Sequence, residues 1–560
     1  MKDLAYKYAL QNAIRYNGKA NAGAIIGKIL QEKPELKTNL EEVKKQIIEA
    51  VNKVNSLSLE SQLEEIKKIA PELLEKKEEK KDLKDLKNAV NNKLVTRIPP
   101  EPSKYAHLGH ALSFLINYLY AKKYNGKCYL RYEDANPEKV AKEYVDSMEY
   151  DIKKYLEIKP EKTLFVSDHM NEFYKYAAIL INGSEAYVCS CRQETMRDLR
   201  HKGEDCWCRH RDYKENIKDW ELMLKNKIKE GEKTLRLKID MTSNNHTLRD
   251  PVIFRVCLKK HFRTGTKYSI WPMYDFYNVI EDNMINVNYI LKSNEFGTMR
   301  TELQNHIRKL LNFSIPNEFQ YGRFNVNDKI SKGREIRDLI KEKKVTGWDD
   351  PRLITLKALK RRGIVKETYY ELVKEVGLSK TETNLDFEVV AAINRKILDK
   401  KADRYFFLDD YKLINIKNTT KKKVSLKLHP ESKEHKRKFN INGKFYILKR
   451  DIKNIKPGNI NRLMDCLNFI KIGNNFEFHS WDYEDFKNAK TKGIIIHYLP
   501  DEKSLVKVEI VMDDASIKNG IGETGLKKLK VGDIVQFERM FFARLDKKSS
   551  NKLRFYYSHI

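Results

Sequence analysis

Apolar positions in the first ninety residues recur at helical spacing. Leu40, Val43, Ile47, Ile48 and Val51 fall on one stripe, which predicts an amphipathic helix. Charge is dense around it, and Glu60–Lys87 alternates acids and bases before a predicted linker. Near residue 91 the pattern changes. A strand-like run, Lys93–Ile98, leads into a Pro-rich loop, and then Leu112, Leu115, Ile116 and Leu119 repeat at helical spacing. With a second strand over Cys128–Tyr132, residues 91–185 read as a β–α–β half of a nucleotide fold. Residues 186–260 read as an insertion. Residues 261–310 return to an α/β pattern with a strand over Asn286–Leu291. After a strand-like run at Tyr321–Val326, the chain to residue 400 is mostly helical. Beyond 401 short alternating strands take over, as in Lys444–Leu448, Gly493–Tyr498 and Val506–Met512. Asn442–Gly443 predicts a hairpin turn.

The predicted fold is therefore multidomain α/β plus β. It has a helical extension (1–90), a Rossmann-type nucleotide-binding domain (91–310) with an α/β insertion at about 186–260, a helical connecting domain (311–400) and a C-terminal β-barrel region (401–560).

Composition narrows the partners. Of 560 residues, 109 are Lys or Arg against 79 Asp or Glu, a formal net charge of +30. That excess favours a polyanion through counterion release and steering. No run approaches the roughly 18 apolar residues of a membrane span, and Met1–Leu10 lacks the apolar core of a signal peptide. A cytoplasmic protein without a membrane partner is expected. Seven cysteines are odd in number and too sparse for a secreted disulfide scaffold.

Two strings carry candidate chemistry. Pro99 to His110 reads Pro-Pro-Glu-Pro-Ser-Lys-Tyr-Ala-His-Leu-Gly-His, and Lys329 to Gly333 reads Lys-Ile-Ser-Lys-Gly. His107, Gly109 and His110 fall at a predicted strand-to-helix turn, where free backbone N–H groups attract anions. Gly109 lets a nucleotide approach the backbone closely. His107 and His110 can donate to phosphate oxygens that gain charge during transfer. Lys329 and Lys332, in a loop with Ser331, can clamp leaving pyrophosphate and release it. Each string alone fits a histidine cap or an exposed lysine turn. Together, in this order, they are the parts needed to hold the triphosphate of ATP.

The two strings resemble the H-I-G-H and K-M-S-K-S signatures of class I aminoacyl-tRNA synthetases. The stretch Thr96 to His110 resembles the glutamyl and glutaminyl subgroup, particularly its archaeal glutamyl type. So do Leu130–Pro137, Leu248–Pro251 and Trp271–Asn278. Gly347–Leu353, with Arg361–Gly363, is similar to the segment bordering the tRNA acceptor stem. Val535–Arg539 resembles the C-terminal barrel, and Asn17–Ala20 with Gly23–Lys28 resembles the archaeal N-terminal extension.

The resemblance implies a glutamate–tRNA ligase using ATP and Mg2+, with L-glutamate and tRNA(Glu), and by extension tRNA(Gln), as partners. The alternatives are a glutamine–tRNA ligase and a non-catalytic tRNA-binding paralogue. It implies catalytic roles for His107, His110, Lys329 and Lys332, and ATP contacts for these with Gly109 and Ser331. Arg97, Glu101, Glu133, Tyr274, Asn278 and Lys292 form the implied amino-acid pocket. Trp348, Asp349, Asp350 and Arg352 border the acceptor stem, the insertion takes the acceptor end, and residues 401–560 read the anticodon.

Three departures stand out. Lys104 replaces a usual glycine, Leu108 replaces isoleucine, and Lys292 stands where glutamyl enzymes usually have arginine. Lysine keeps the charge but loses the bidentate fork.

Cys189-Ser-Cys191 and Cys206-Trp-Cys208 form two C-x-C pairs. Four thiolates from two local turns suit structural Zn2+, which some synthetases of this family carry in the insertion. Metal-free reduced cysteines are the alternative.

Overall fold

The computed structural model describes residues 2–16, 18–73, 82–327, 329–330, 332–431 and 436–560. Asn17 and Ser331, named above, lie outside the described residues. The chain divides into two compact units, Met1–Asp82 and Leu83–Ile560.

Among its described residues the first unit has four α-helices: α1 (Lys2–Arg15), α2 (Ala22–Glu32), α3 (Leu40–Asn55) and α4 (Leu59–Ile69). Ala5, Ala9 and Ala13 on α1 are fully buried, and their small side chains let α3 and α4 pack closely. Ser58 caps α4 by accepting from the Ser61 N–H at 3.2 Å. The predicted stripe needs one correction. Val43, Ile47 and Val51 are buried, but Leu40 and Ile48 are 38% and 51% exposed. Ala50 and Val54 complete the buried face instead, because each helical step turns about 100° and Ile48 rotates away from Ile47.

The second unit begins earlier than the hydropathy pattern suggests. Leu83 and Leu86 are buried in the core of the nucleotide fold, and the Leu86 N–H donates to Tyr124 Oη at 2.8 Å. Then follow β1 (Val95–Ile98), α5 (Leu108–Lys123), β2 (Lys127–Tyr132), α6 (Lys142–Tyr150), β3 (Thr163–Phe165) and α7 (Met170–Asn182). The strands form a parallel sheet in the order β1-β2-β3. Gly126 before β2 has no alternative, since a Cβ there would lie 2.1 Å from the Leu94 carbonyl oxygen.

The insertion holds β4 (Ala186–Cys189), α8 (Gln193–Lys202), α9 (Tyr213–Leu224), β5 (Thr234–Leu237), β6 (Val252–Val256) and β7 (Ile270–Pro272). These strands make an antiparallel sheet in chain order, so the sheet runs past residue 260. The nucleotide fold resumes with α10 (Tyr274–Met284), β8 (Tyr289–Ser293), α11 (Gly297–Leu310) and β9 (Asn317–Tyr321), with β8 and β9 parallel.

β8 lies beside β1. The Asn288 N–H donates to the Val95 carbonyl at 3.3 Å, and Asn288 Oδ1 accepts from the Val95 N–H at 2.8 Å. Further along, Asn117 of α5 bridges the two strands. Its Nδ2 donates to the Leu291 carbonyl at 3.2 Å, and its own carbonyl accepts from Thr96 Oγ1 at 2.9 Å. Asn117 thus ties α5 to both strands, and in open α/β sheets ligands bind beyond the carboxyl ends of such strands.

A short parallel pair, β10 (Phe324–Val326) and β11 (Thr383–Leu385), flanks α12 (Gly333–Lys341), α13 (Leu356–Arg362) and α14 (Lys366–Val376), and α15 (Phe387–Leu398) follows. The predicted Tyr321–Val326 strand is broken at Gly322, where a Cβ would overlap the Thr381 carbonyl.

Beyond residue 401 lie two seven-stranded sheets. The edge strands of one, Arg404–Tyr405 and Phe407–Leu408, are separated by one residue, so that sheet nearly closes into a barrel. Asn442–Gly443 does not close a hairpin. Lys436–Ile441 pairs with Lys422–Lys427, and Lys444–Leu448 pairs with Tyr411–Lys417 and Leu499–Pro500. The turn, with Gly443 at φ +88°, carries the chain from one sheet to another.

Candidate active site

The histidine string sits at the N-terminus of α5. His107 is the N-cap residue, and its Nδ1 accepts from the Gly109 N–H at 3.1 Å. His110 Nδ1 accepts from the His107 N–H at 3.2 Å. The two rings lie 3.9 Å apart. With both Nδ1 atoms used as acceptors, each neutral imidazole carries its proton on Nε2. Burial pushes both pKa values down, that of His110 to about 3 and that of His107 well below the usual range. The pair therefore offers two neutral N–H donors. Gly109 has a second reason to be glycine, because a Cβ there would lie 3.1 Å from His107 Cε1.

The helix after the lysine loop packs on the Pro-rich loop that leads into this turn. Lys332 is the N-cap of α12 and exposed, and Lys329 is half-buried. Gly333 packs on Lys104, whose Cδ would lie 2.9 Å from a Cβ at that position. Arg337 Nη1 reaches the Ser103 carbonyl at 3.4 Å. Lys104, the departure from the usual glycine, thus lies under the start of α12. Burial lowers its pKa.

Most of the amino-acid candidates lie around one buried cluster. Arg97 on β1 is 2% exposed, and its Nε donates to Asp282 Oδ1 at 3.0 Å. Its Nη1 is buried and makes no hydrogen bond among the described residues. Glu133, just past β2, accepts from Arg131 Nη2 at 2.9 Å, Tyr277 Oη at 3.1 Å and Asn278 Nδ2 at 3.2 Å. Burial pushes Glu133 up, against the pull of Arg131 and Arg97. Tyr274 is half-buried on the same helix, its ring 5.7 Å from that of Tyr277. Glu101 is exposed and accepts from Ser103 Oγ at 2.9 Å.

Lys292 is not a free cation. Lying within β8 rather than past its end, it pairs with Glu318 Oε2 at 2.9 Å and donates to Thr301 Oγ1 at 3.0 Å. Burial lowers its pKa, opposed by Glu318.

Sequence reasoning missed Arg131, Tyr277, Asp282, Arg308 and Glu318. Some signal was present. Asp282 follows Tyr274 and Asn278 at four-residue steps on α10, and Arg131 shares a strand face with Glu133 at period two. Burial would raise Asp282, but Arg97, Arg131 and Arg308 hold it below the usual carboxylate range. Nothing local marks Arg308 or Glu318, whose charge partners, Asp282 and Lys292, sit on other elements.

Gly347–Leu353 is braced internally. Asp350 is fully buried, accepts from the Thr346 N–H at 2.9 Å and pairs with Arg352 Nε at 2.8 Å. Arg361 ties Asp349 to Asp546 of the C-terminal barrel, both at 2.9 Å. Trp348 is half-buried, 5.1 Å from the Tyr105 ring.

Cys189, Cys191, Cys206 and Cys208 converge, with all four Sγ atoms within 4.8 Å of one another. The Cys191–Cys208 separation is 3.8 Å. A tetrahedron with ~2.3 Å Zn–S bonds has an edge of about 3.8 Å. Cys189 and Cys206 pull Cys208 below the ordinary thiol range, and Cys206 and Cys208 push Cys189 above it.

A parallel β1-β2-β3 sheet with paired histidines at the N-terminus of the following helix offers an anion-binding turn of the kind nucleotide folds use. Residues 93–400 match the model for tRNA synthetases class I (E and Q), catalytic domain. Residues 402–479 and 475–546 match two models for the anti-codon binding domain of the same group. The chain is 36% identical over 562 residues to a glutamate–tRNA ligase of Methanothermobacter thermautotrophicus, covering 100% of this chain and 99% of that protein. It is 37% identical to one of Pyrococcus abyssi, covering 99% of each. It is 36% identical to one of Methanocaldococcus jannaschii, covering 100% of each. The chain belongs to the class I tRNA synthetases of the E and Q group. Among the described residues no helix is long and apolar enough to cross a membrane.

Proposed function

We propose that this chain is a glutamate–tRNA ligase that converts ATP and L-glutamate to glutamyl-adenylate and pyrophosphate, then esterifies the 3′-terminal adenosine of tRNA(Glu) and releases AMP. The observation that carries this reading is the buried cluster of Arg97, Arg131, Arg308, Glu133 and Asp282, in the fold that also carries the histidine turn and the lysine loop. Full-length relatives bearing that activity support it.

Each group has a chemical task. The α-carboxylate of glutamate is its own nucleophile, so the protein mainly positions reactants and stabilises charge. The Nε2–H groups of His107 and His110 donate to phosphate oxygens, and Lys329 and Lys332 hold the departing pyrophosphate. ATP arrives as its magnesium complex, which screens phosphate charge. Glu133 takes the substrate ammonium with Tyr277 and Asn278 beside it. Arg97 Nη1, buried without an acceptor, is poised for a carboxylate. The 2′-hydroxyl of the terminal adenosine then attacks the adenylate carbonyl and AMP leaves.

The remaining parts serve tRNA. The insertion takes the acceptor end, Trp348, Asp349, Asp350 and Arg352 border the stem, the barrels read the anticodon, and the N-terminal unit serves tRNA binding or solubility. The four cysteines hold one structural Zn2+, for which their donor set and the 3.8 Å sulfur separation fit.

Aminoacylation of purified tRNA(Glu) and tRNA(Gln) with labelled glutamate and glutamine tests the reading. Glutamate is charged onto tRNA(Glu), and charging of tRNA(Gln) as well marks a relaxed enzyme. Preferential use of glutamine makes it a glutamine–tRNA ligase. No ATP–pyrophosphate exchange with tRNA present makes it a non-catalytic paralogue.

A further inference from the structure

Lys292 stands where an arginine would read a side-chain carboxylate, yet Glu318 already neutralises it at 2.9 Å and Thr301 occupies a second of its donors. An ammonium so engaged has little left to offer a substrate.

A second cation lies alongside. Arg308, on α11, is 2% exposed. Its Nη1 donates to Asn305 Oδ1 at 3.0 Å. Its Nη2 is buried and makes no hydrogen bond among the described residues; the nearest carboxylate oxygen, Asp282 Oδ2, is 3.5 Å away. Arg308 is close enough to Arg97, Glu318 and Tyr274 to feel their charge, and burial pushes its pKa down. A buried guanidinium nitrogen without an acceptor is costly unless something completes it. Arg97 Nη1 is in the same condition, so two incomplete guanidinium groups share one cluster.

The charge balance points the same way. The cluster's cations are Arg97, Arg131, Lys292 and Arg308; its carboxylates are Glu133, Asp282 and Glu318. Glu281 shares a hydrogen bond with His169, and Asp275 pairs with Arg300. Glutamate brings one more carboxylate than glutamine to a cluster in which two guanidinium nitrogens lack an acceptor, and completes what glutamine leaves open.

We infer that Arg308 is a specificity-determining residue, which with Arg97 receives the side-chain carboxylate while Lys292 is committed to Glu318. This rests on the glutamate-activating reading above. Arg308 then performs the task that Lys292, lacking the planar fork and already paired, cannot.

The test compares L-glutamate with its γ-methyl ester as competing ligands in ATP–pyrophosphate exchange with tRNA present, using the full chain. The wild type prefers glutamate over the ester. In Arg308→Gln that preference falls about tenfold or more, the scale of one charge-assisted hydrogen bond, while the KM for ATP holds. Arg308→Lys restores part of it. An unchanged preference in a folded Arg308→Gln protein overturns the inference and leaves the glutamate reading standing. Equal losses for both ligands with a lower melting temperature mean that Arg308 only braces Asp282, and also overturn it. A wild type without preference for glutamate sinks the underlying reading instead.

Discussion

Lys292 Nζ lies 2.9 Å from Glu318 Oε2, across the parallel pair β8–β9. Glu318 pairs with Ile290, two residues before Lys292, and Lys292 pairs with Gln320. The side chains share a sheet face, and Gln320 Nε2 also donates to Glu318 Oε1 at 2.7 Å. A cation that looks like a substrate reader is thus held first by its own sheet.

Removing that cation has two separable effects. Lys292→Met leaves Glu318 without its ion pair, which costs stability toward the lower end of ~3–5 kcal/mol because the pair is not fully enclosed. Adding Glu318→Gln recovers the melting temperature. Glutamate kcat/KM drops in Lys292→Met because the released Glu318 carboxylate then competes for the cluster's cations, and it recovers in the double variant. Lys292→Arg keeps both stability and glutamate use. A Lys292→Met protein that melts like the wild type contradicts the pairing.

Lys332 is exposed and caps α12 without a side-chain hydrogen bond to it, so truncating it spares the fold. Lys332→Ala lowers ATP–pyrophosphate exchange roughly 100-fold or more, the scale of one preorganised charge contact. The KM for glutamate changes little. Near-normal exchange removes Lys332 from the phosphate site.

The N-terminal unit is dispensable for activation if the cut respects the core. A chain starting at Leu83 retains adenylate formation when tRNA is supplied. One starting at Asn91 loses Leu83 and Leu86 from the nucleotide-fold core and melts at lower temperature. Calorimetry of both truncated chains separates stability from activity, and a folded but inactive Leu83 chain assigns chemistry to the first unit.

The sulfur cluster predicts about one equivalent of zinc in protein purified without chelator. Cys191→Ser weakens retention and destabilises the insertion. Folded, active protein without metal ends the idea.

His110 adds a pH dependence whose sign is set. Its folded pKa, about 3 through burial, lies below the ordinary value near 6.5. Between these values the unfolded chain binds the proton and the native one does not, so stability falls as pH drops below about 6.5. His110→Asn flattens that slope in melts from pH 7 to 5. An equal slope in both proteins means that the imidazole is not held neutral.

Local chemistry was legible in the sequence. The histidine turn and each cysteine pair are contiguous strings, and backbone geometry alone brings each string's own groups together. Helical and strand periodicity placed most elements for the same reason. Only the tertiary structure decided which charges meet. Arg97 and Asp282 are 185 residues apart, Lys292 is committed to Glu318, and Leu83 and Leu86 join a core the hydropathy pattern left outside. The Asn442–Gly443 turn is the same lesson in the backbone: its residues dictate a tight turn, but the sheets around them choose which strands pair. Burial turns these choices into energy, because a charge taken from water must find its partner wherever the fold puts one.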